Sequence, residues 1–225
     1  MKRSPFSCNA KKAFTLIELL VVIGIIAALA SGVGIALRGN NPDASLRGAQ
    51  GLVSGALSAA RGQAALSQST AQIIVQADVN DPNFLRSIRV VIPDASTPAT
   101  NDWKQVGSEI VLPEGIYLVP PTGTLTGVAF ETENGTWNAG RNSTLFNTAT
   151  GSVTGLTNAI TVLISKDISP LGTVDGGRIV VTPGRRTGPT SVVLFNASAV
   201  RGLVVSRYGV ASQVDEAASF DLITN

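Results

Sequence analysis

A single carboxylate interrupts a long apolar stretch near the N-terminus of this chain. Residues 14–37 read FTLIELLVVIGIIAALASGVGIAL, and Glu18 is the only charged residue among them. A carboxylate at the centre of a membrane-inserted helix costs about 2.5 to 3.5 kcal/mol, and less toward the helix end. A cation that pairs with the carboxylate offsets this cost. The chemistry expected of Glu18 is therefore charge pairing in apolar surroundings.

Residue types that carry most enzyme and metal chemistry are scarce. The chain has no His, which removes the usual general base and the commonest metal ligand. Its one Cys, Cys8, precedes the apolar stretch. If the residues before that stretch are removed as a leader, the remaining chain has neither a thiol nor a disulfide. The fold could still bring two carboxylates together as a catalytic pair, but no spacing of Asp and Glu in the sequence supports such a pair. We expect no enzyme activity, no metal site and no cofactor.

Adjacent cations define the one candidate ligand loop. Residues 182–188 read TPGRRTG, in which Arg185 and Arg186 could hold a phosphate, although the lysine and spacing of a P-loop are missing. A solvated loop is the favoured interpretation. With Arg201 and Arg207 these residues form the only candidate cluster for nucleic acid. The chain has 17 Lys and Arg against 15 Asp and Glu, and four of those cations precede residue 13. A mature chain with 13 cations has a net charge near −2, so nucleic acid is not an expected partner.

The apolar stretch is long enough to cross a membrane. As a helix, residues 14–37 would extend roughly 36 Å, and the preceding basic residues would keep the N-terminus cytoplasmic. A removable export signal is one alternative, because Ala28-Leu29-Ala30 before Ser31 resembles its cleavage site. A plain anchor is another. Neither alternative explains why a carboxylate, Glu18, lies within the apolar stretch.

Residues 11–20, KKAFTLIELL, closely resemble the class III signal of type IV prepilins and type II secretion pseudopilins. The resemblance implies that a prepilin peptidase cuts between Ala13 and Phe14 and then methylates the new amine of Phe14. It also implies that Glu18 pairs with this amine on a neighbouring subunit. The family usually has Gly where this chain has Ala13, which could slow the cleavage. The residues that the peptidase would recognise are Lys11, Lys12, Thr15, Leu16 and Ile17.

A second helix is predicted after the breakers of residues 38–42, RGNNP. Between residues 43 and 68, apolar residues recur at spacings of three, four and seven, which predicts an amphipathic helix. Because its many glycines permit close approach, this helix could form a helix-helix interface in a filament. We favour the alternative, in which it packs on the chain's own sheet. The stripe consists of Leu46, Val53, Leu57, Ala60 and Ala64.

Beyond residue 69, short runs rich in Val and Ile alternate with turn residues, which predicts a β-rich domain. The expected fold class is α+β, in which a long hydrophobic anchor helix precedes a helix packed on a mainly antiparallel, β-sandwich-like domain. Longer loops are expected at 93–102 and 133–155, where Asn134-Gly135 could close a hairpin. The nine predicted strands cover residues 71–77, 87–92, 109–112, 116–119, 128–131, 160–165, 178–182, 191–195 and 203–207.

Two further stretches resemble the H-type pseudopilins of type II secretion and the FimT-like minor pilins. They are AARGQA at 59–64, before the first strand, and VVSRYGVAS at 204–212, within a stretch from 200 to 212 that is similar to the strand-turn-strand that closes the globular domain of that group. The resemblance implies a minor filament subunit that supports pseudopilus assembly and protein export. Its partners would be other pilin-like subunits, the prepilin peptidase, the inner-membrane assembly platform and membrane lipid. The alternatives are a minor pilin that binds DNA in transformation, or another adhesive surface-filament subunit.

The sequence therefore predicts a chain of four parts with one orientation in the membrane. Residues 1–13 are a cleaved cytoplasmic leader and residues 14–37 a transmembrane and assembly helix. Residues 38–68 form a linker and the amphipathic helix, and residues 69–225 form a periplasmic β-rich domain. The protein is expected in the bacterial inner membrane as a single-pass subunit that enters a periplasmic or surface filament.

Overall fold

The computed structural model describes residues 16–37, 42–96, 102–123, 125, 129–133, 141–149, 153–154, 163–194 and 199–221. The chain divides into two units, residues 1–41 and 42–225. The elements in chain order are α1 (Leu16–Leu37), α2 (Pro42–Ser67), β1 (Ala71–Gln76), β2 (Ser87–Pro93), β3 (Trp103–Val111), β4 (Ile116–Val119), β5 (Ala129–Thr132), β6 (Asn147–Ala149), β7 (Val153–Thr154), β8 (Leu163–Ile168), β9 (Gly177–Gly188), β10 (Ser191–Leu194), β11 (Arg201–Val205), β12 (Ala211–Val214) and α3 (Ala217–Asp221).

The first unit contains α1, whose bounds agree closely with the predicted helix at 14–37. Over the part of the chain that the structure describes, no helix reaches the length and hydropathy expected of a membrane crossing. The membrane role of this segment stays a prediction.

Helix α2 begins with a residue pair suited to a helix start. Pro42 occupies the first helical position, where its missing N–H costs nothing, and Asp43 places a carboxylate in the first turn. The predicted apolar stripe is confirmed, because all five of its members are buried, together with Ala49, Gln50 and Ala56. Four of the eight buried residues are Ala, and their small side chains let the helix approach the strands closely. The helix contacts β1, β2, β9 and β11, so the preferred interpretation of packing on the chain's own sheets is confirmed.

The strands form two six-stranded sheets. The first has the order β6-β8-β1-β2-β3-β7 and the second β12-β11-β9-β10-β5, with β4 paired to β9. All pairs are antiparallel except β3 with β7 and β5 with β10. The predicted combination of a helix with mainly antiparallel sheets, and hence the α+β class, is confirmed.

One continuous core joins α2 to both sheets. It includes Leu57 of α2, Ile73 of β1 and Leu203 of β11, each at most 2% exposed. Burying a side chain of this size contributes about 1.5 to 3 kcal/mol. A smaller cluster around Phe220 packs α3 against the second sheet. The domain is therefore held by burial, as expected for a chain without disulfides.

Several sequence predictions about loops are wrong. Residues 182–188 are not a loop but the second half of β9. Pro183 is tolerated there because the pairing with β11 ends at Val181, so no ladder hydrogen bond is lost on that side. The predicted loop at 133–155 contains β6 and β7, which lie at the two edges of the first sheet. Strand β3 begins at Trp103, six residues before the predicted strand, and α3 was not predicted. Strand β12 was not among the nine predicted strands, but the resemblance at 204–212 implied a strand-turn-strand, which β11 and β12 form. The hairpin at Asn134-Gly135 lies outside the described residues.

A buried guanidinium ties the start of α2 to the second sheet. Arg201 of β11 has a side chain only 11% exposed, and its two terminal nitrogens lie 2.5 Å from Asp43 Oδ1 and 2.7 Å from Asp215 Oδ1. Arg47, one helical turn after Asp43, lies 3.2 Å from the other carboxylate oxygen. The hydrogen bond from Arg201 lowers the pKa of Asp43 below its ordinary value, and the charge of Arg47 acts in the same direction. We call these residues the Arg201 clamp.

Replacing Gly202 by Ala should destabilise the domain. A Cβ there would lie 2.0 Å from the carbonyl oxygen of Ile179 and 3.0 Å from the Phe220 ring. Such overpacking costs about 1 to 3 kcal/mol. The matched control is Gly55→Ala on the exposed side of α2, where a Cβ has no neighbour within 4 Å and Ala should add about 0.5 to 1 kcal/mol. Thermal unfolding of the full chain in mild detergent, followed by circular dichroism, should lower Tm for the first variant and raise it for the second. An unchanged or higher Tm for Gly202→Ala would contradict the observed packing.

The Arg201 clamp should make stability depend on pH. Because the folded-state pKa of Asp43 is depressed, its stabilising contribution is present above the unfolded-state pKa, about 3.9, and is lost as pH falls through the folded value. The difference in Tm between the parent chain and Asp43→Asn should be largest above about pH 5 and shrink toward about pH 2.5. Arg47→Ala is the control, since an exposed ion pair contributes little. A Tm difference that stays constant over this range would show that the clamp does not titrate.

Candidate assembly site

The described start of α1 is an apolar surface without cover from its own unit. Residues 16–27 are all exposed, including Leu16 at 82%, Ile17 at 69% and Leu20 at 62%. A helix that is apolar on every side is normally buried in a core, in lipid or among other helices. The described surface of α1 therefore requires contacts from outside its own unit.

Glu18 lies in the first turn of α1, within this apolar surface. The unpaired N–H groups at a helix start carry a partial positive charge, which stabilises a carboxylate in the first turn by about 0.3 to 1 kcal/mol. This position at the helix start makes the Glu18 carboxylate tolerable within the apolar segment. The predicted recognition residues Leu16 and Ile17 belong to the same turn.

The remaining residues of the predicted processing site are not placed by the structure. Lys11, Lys12, Ala13, Phe14 and Thr15 lie outside the described residues. Their roles in recognition, cleavage and methylation stay predictions.

The two arginines of the predicted ligand loop have intramolecular partners. Arg185 Nη2 lies 3.0 Å from Glu133 Oε1. Arg186 donates to three carbonyl oxygens, those of Asp81 at 3.0 Å, Gly188 at 3.1 Å and Pro189 at 2.8 Å. Its guanidinium also lies 5.5 Å from the centre of the Phe84 ring. Arg186 thus ties β9 to the turn that follows β1, so its donors serve the fold.

The four-arginine cluster considered for nucleic acid is largely engaged within the protein. Arg185 pairs with Glu133, Arg186 bonds to carbonyls, and Arg201 is held in its clamp. Arg207 is exposed, and among the described residues no side chain forms an ion pair or hydrogen bond with it. One uncommitted cation of four is a small phosphate footprint.

A polar cleft that the sequence did not reveal lies beside Arg207. Its volume is about 1080 Å³ and its lining includes Asp167, Ser169, Thr173, Asp175 and Tyr208. Lys166, 7% exposed in its side chain, reaches Asp175 at 2.9 Å. This hydrogen bond, with its charge and that of Arg207, lowers the pKa of Asp175. The lining residues come from segments far apart in the chain, so no local motif could have identified the cleft.

Within the described residues, no three carboxylate, Cys or His side chains gather as a metal site would require. Asp43 and Asp215 meet at Arg201, and Glu109, Glu133 and Asp175 each form an ion pair with one cation. The arrangement therefore supports charge pairing and surface recognition as the chemistry of the described parts of this chain.

Comparison with known proteins bears on the N-terminal segment. Residues 8–34 match the family model described as the prokaryotic N-terminal methylation motif. No curated protein sequence is significantly similar to the chain.

Two solved structures of the minor pseudopilin EpsH from the type II secretion system of Vibrio cholerae are weakly similar to this fold. One has 11% identity and a TM-score of 0.41, over 76% of this chain and 97% of that chain. The other has 13% identity and a TM-score of 0.40, over 78% of this chain and 96% of that chain. A likeness at this level does not distinguish an H-type or FimT-like member. The matched motif contains Glu18 and most of α1, and it agrees with the resemblance seen in the sequence: the N-terminal segment of the chain matches the prokaryotic N-terminal methylation motif.

Proposed function

We propose that the chain is a minor pseudopilin-like or pilin-like subunit of a type II secretion or type IV pilus-like filament. The observation that carries this proposal is Glu18, one carboxylate in the first turn of a helix whose described apolar side chains are all exposed. The methylation motif over residues 8–34 supports the same role. The role is structural and requires no catalytic residue in this chain.

Assembly follows from the two properties of α1. Its apolar side chains find cover first in membrane lipid and then among the helices of neighbouring subunits. The Glu18 carboxylate is costly in either setting unless a cation meets it. Cleavage between Ala13 and Phe14 would create such a cation, the amine of Phe14. In the filament this amine would lie one helical turn along the helix axis from Glu18 of the adjacent subunit. Charge pairing would then set the axial position of one subunit against the next.

This role requires a defined set of partners and a defined orientation. The basic leader would stay in the cytoplasm, where the prepilin peptidase removes it and methylates Phe14. The β-rich domain would lie in the periplasm, and the inner-membrane platform would insert the subunit among other pilin-like subunits. The role in protein export belongs to the filament as a whole.

DNA capture, the alternative considered from the sequence, gains no support from the described charges. It would require several free cations on one surface. Three of the four candidate arginines are bound to carboxylates or carbonyls within the domain.

Co-expression with a prepilin peptidase should shorten the chain by its first 13 residues. The expected product begins at Phe14 and carries a methyl group on its amine, because the proposal makes the segment that matches the methylation motif the substrate of both reactions. Mass spectrometry of the intact protein and of its N-terminal peptide measures both changes. Ala13→Gly is the matched variant and should be cut at least as fast. An intact Met1, or a new N-terminus at Ser31, would contradict the proposed processing.

Glu18→Ala should leave membrane insertion intact but impair entry into filaments. Removing a buried charge makes insertion easier, whereas the amine of the neighbouring Phe14 loses its counter-charge only in the assembled state. Membrane fractionation and the amount of subunit in sheared filaments measure the two steps separately. Glu18→Gln is the matched control for side-chain shape. It should also impair entry into filaments, because it too lacks the charge. Equal incorporation of Glu18→Ala and the parent chain would exclude the pairing.

A further inference from the structure

Two turns of similar sequence lie side by side in the globular domain. Residues 169–173 read SPLGT and residues 206–210 read SRYGV. A Cβ on Gly209 would lie 2.3 Å from the carbonyl oxygen of Gly172, so the two backbones are in contact. We call these segments the twin turns.

The twin turns have the same internal hydrogen bonds. The glycine N–H donates to the carbonyl of the first serine at 2.8 Å in each turn, from Gly172 to Ser169 and from Gly209 to Ser206. The serine N–H donates to the carbonyl of the last residue at 3.0 Å in the first turn and 2.9 Å in the second. The serine hydroxyl then accepts from the N–H of that last residue, at 3.1 Å and 3.2 Å. Both glycines have positive φ, 75° and 69°, which other residues rarely adopt.

Arg61 of α2 fixes the two turns to each other. Its Nε would be 3.1 Å from a Cβ on Gly172 and 2.8 Å from one on Gly209, so only glycines leave it room. That nitrogen is buried, and no hydrogen-bond partner lies near it. A buried donor of this kind costs about 1 to 3 kcal/mol, so its position between the turns is maintained by packing. The turns therefore form a rigid pair, which would bind a partner without an ordering cost.

This rigid pair presents large side chains to solvent. Leu171 is 88% exposed and Tyr208 76% exposed, each directly before its glycine, and Val210 is 54% exposed. The exposed Arg207 stands beside Tyr208, and the polar cleft of about 1080 Å³ opens next to them. Tyr and Arg are the residue types that most often dominate binding energy, and Ser and Gly supply adaptable hydrogen bonds around them.

We propose that the twin turns and the adjoining cleft bind a polypeptide segment of a partner protein that presents a large apolar side chain next to a carboxylate. The apolar side chain packs against Leu171 and Tyr208, and the carboxylate pairs with Arg207. Charge complementarity selects the carboxylate: Lys166 forms the direct ion pair with Asp175, and Arg207, whose charge acts on Asp175 only from a distance, forms no direct ion pair with a described side chain.

The size of the surface selects a segment rather than a second folded domain. A stable interface between folded domains buries about 800 Å² on each partner. Two side chains and a short cleft provide less than that, but the cleft volume suits a ligand the size of a few residues. The inference does not depend on the filament role, because the surface lies wholly within residues 42–225.

Peptide selection on the intact protein tests this proposal. The full chain in mild detergent is exposed to random 12-residue peptides displayed on phage, and one enriched peptide is synthesised with Glu or Gln at its acidic position. We expect enriched peptides to combine Leu, Phe or Trp with a neighbouring Asp or Glu. Tyr208→Ser and Leu171→Ser should each weaken binding about tenfold or more, which corresponds to about 1.4 kcal/mol. Arg207→Gln should abolish the preference for the Glu peptide over the Gln peptide.

The matched control is Leu66→Ser, which removes a leucine of similar exposure, 80%, from α2. It should bind the peptide like the parent chain, and all four variants should keep the parent Tm because the changed side chains are exposed. The proposal is overturned if no peptide is enriched, or if enriched peptides bind all variants equally. It is also overturned if Tyr208→Ser removes self-association, or binding to anionic vesicles or oligosaccharides, while leaving peptide binding unchanged.

Discussion

The globular domain depends on the burial of one face of α2 against both sheets. Residues on this face such as Leu57 and Ala60 are fully enclosed, and the small residues of the helix let the backbones of α2 and β11 approach each other. Gln50, 2% exposed, donates 2.7 Å to the carbonyl of Gly202 on β11. A side chain at Gly202 would collide with Ile179 of β9 and Phe220 of α3, so the glycine is required for the close packing of β11 that places this carbonyl. Without this helix neither sheet would have a covered inner face.

The cations of the domain mainly stabilise this arrangement. Charged residues are only 14% of the chain, and several arginines are directed inward or along the surface to carbonyls and carboxylates. Arg201 fixes the first turn of α2, Arg61 fixes the twin turns near its other end, and Arg186 connects β9 with the turn after β1. A domain that commits its arginines in this way has little charge left for long-range attraction of polyanions. Specific recognition then rests on exposed apolar side chains held in rigid positions.

The sequence predicted those features whose signal lies within one element. The apolar period identified α2 and its buried face, and Val- and Ile-rich runs identified β1, β2 and β4 nearly to the residue. Edge strands β6 and β7, three and two residues long, carry no alternation that could reveal them. The second half of β9 contains Pro183 and Gly184 and so resembled a loop, because its change of pairing partner is a tertiary property. For the candidate site, the sequence predicted a role for Glu18 from its position in the apolar run, and that role stays a prediction. The contact of Arg61 with Gly172 and Gly209 joins three distant segments and required the fold.

The chain leaves apolar groups exposed in two ways, and the difference in geometry matters for function. The described part of α1 is exposed on all sides, so any partner helix can cover it, and apolar contact alone would not fix one register. In the proposed filament a charge at one position would remove that freedom, because a carboxylate without a counter-charge would make every other register costly. The twin turns present Leu171 and Tyr208 at fixed positions on a rigid backbone. The shape of this surface alone would therefore fix the position of a bound segment. A continuous surface with one charge suits repetitive assembly, whereas two fixed side chains beside a cleft suit recognition of a single segment.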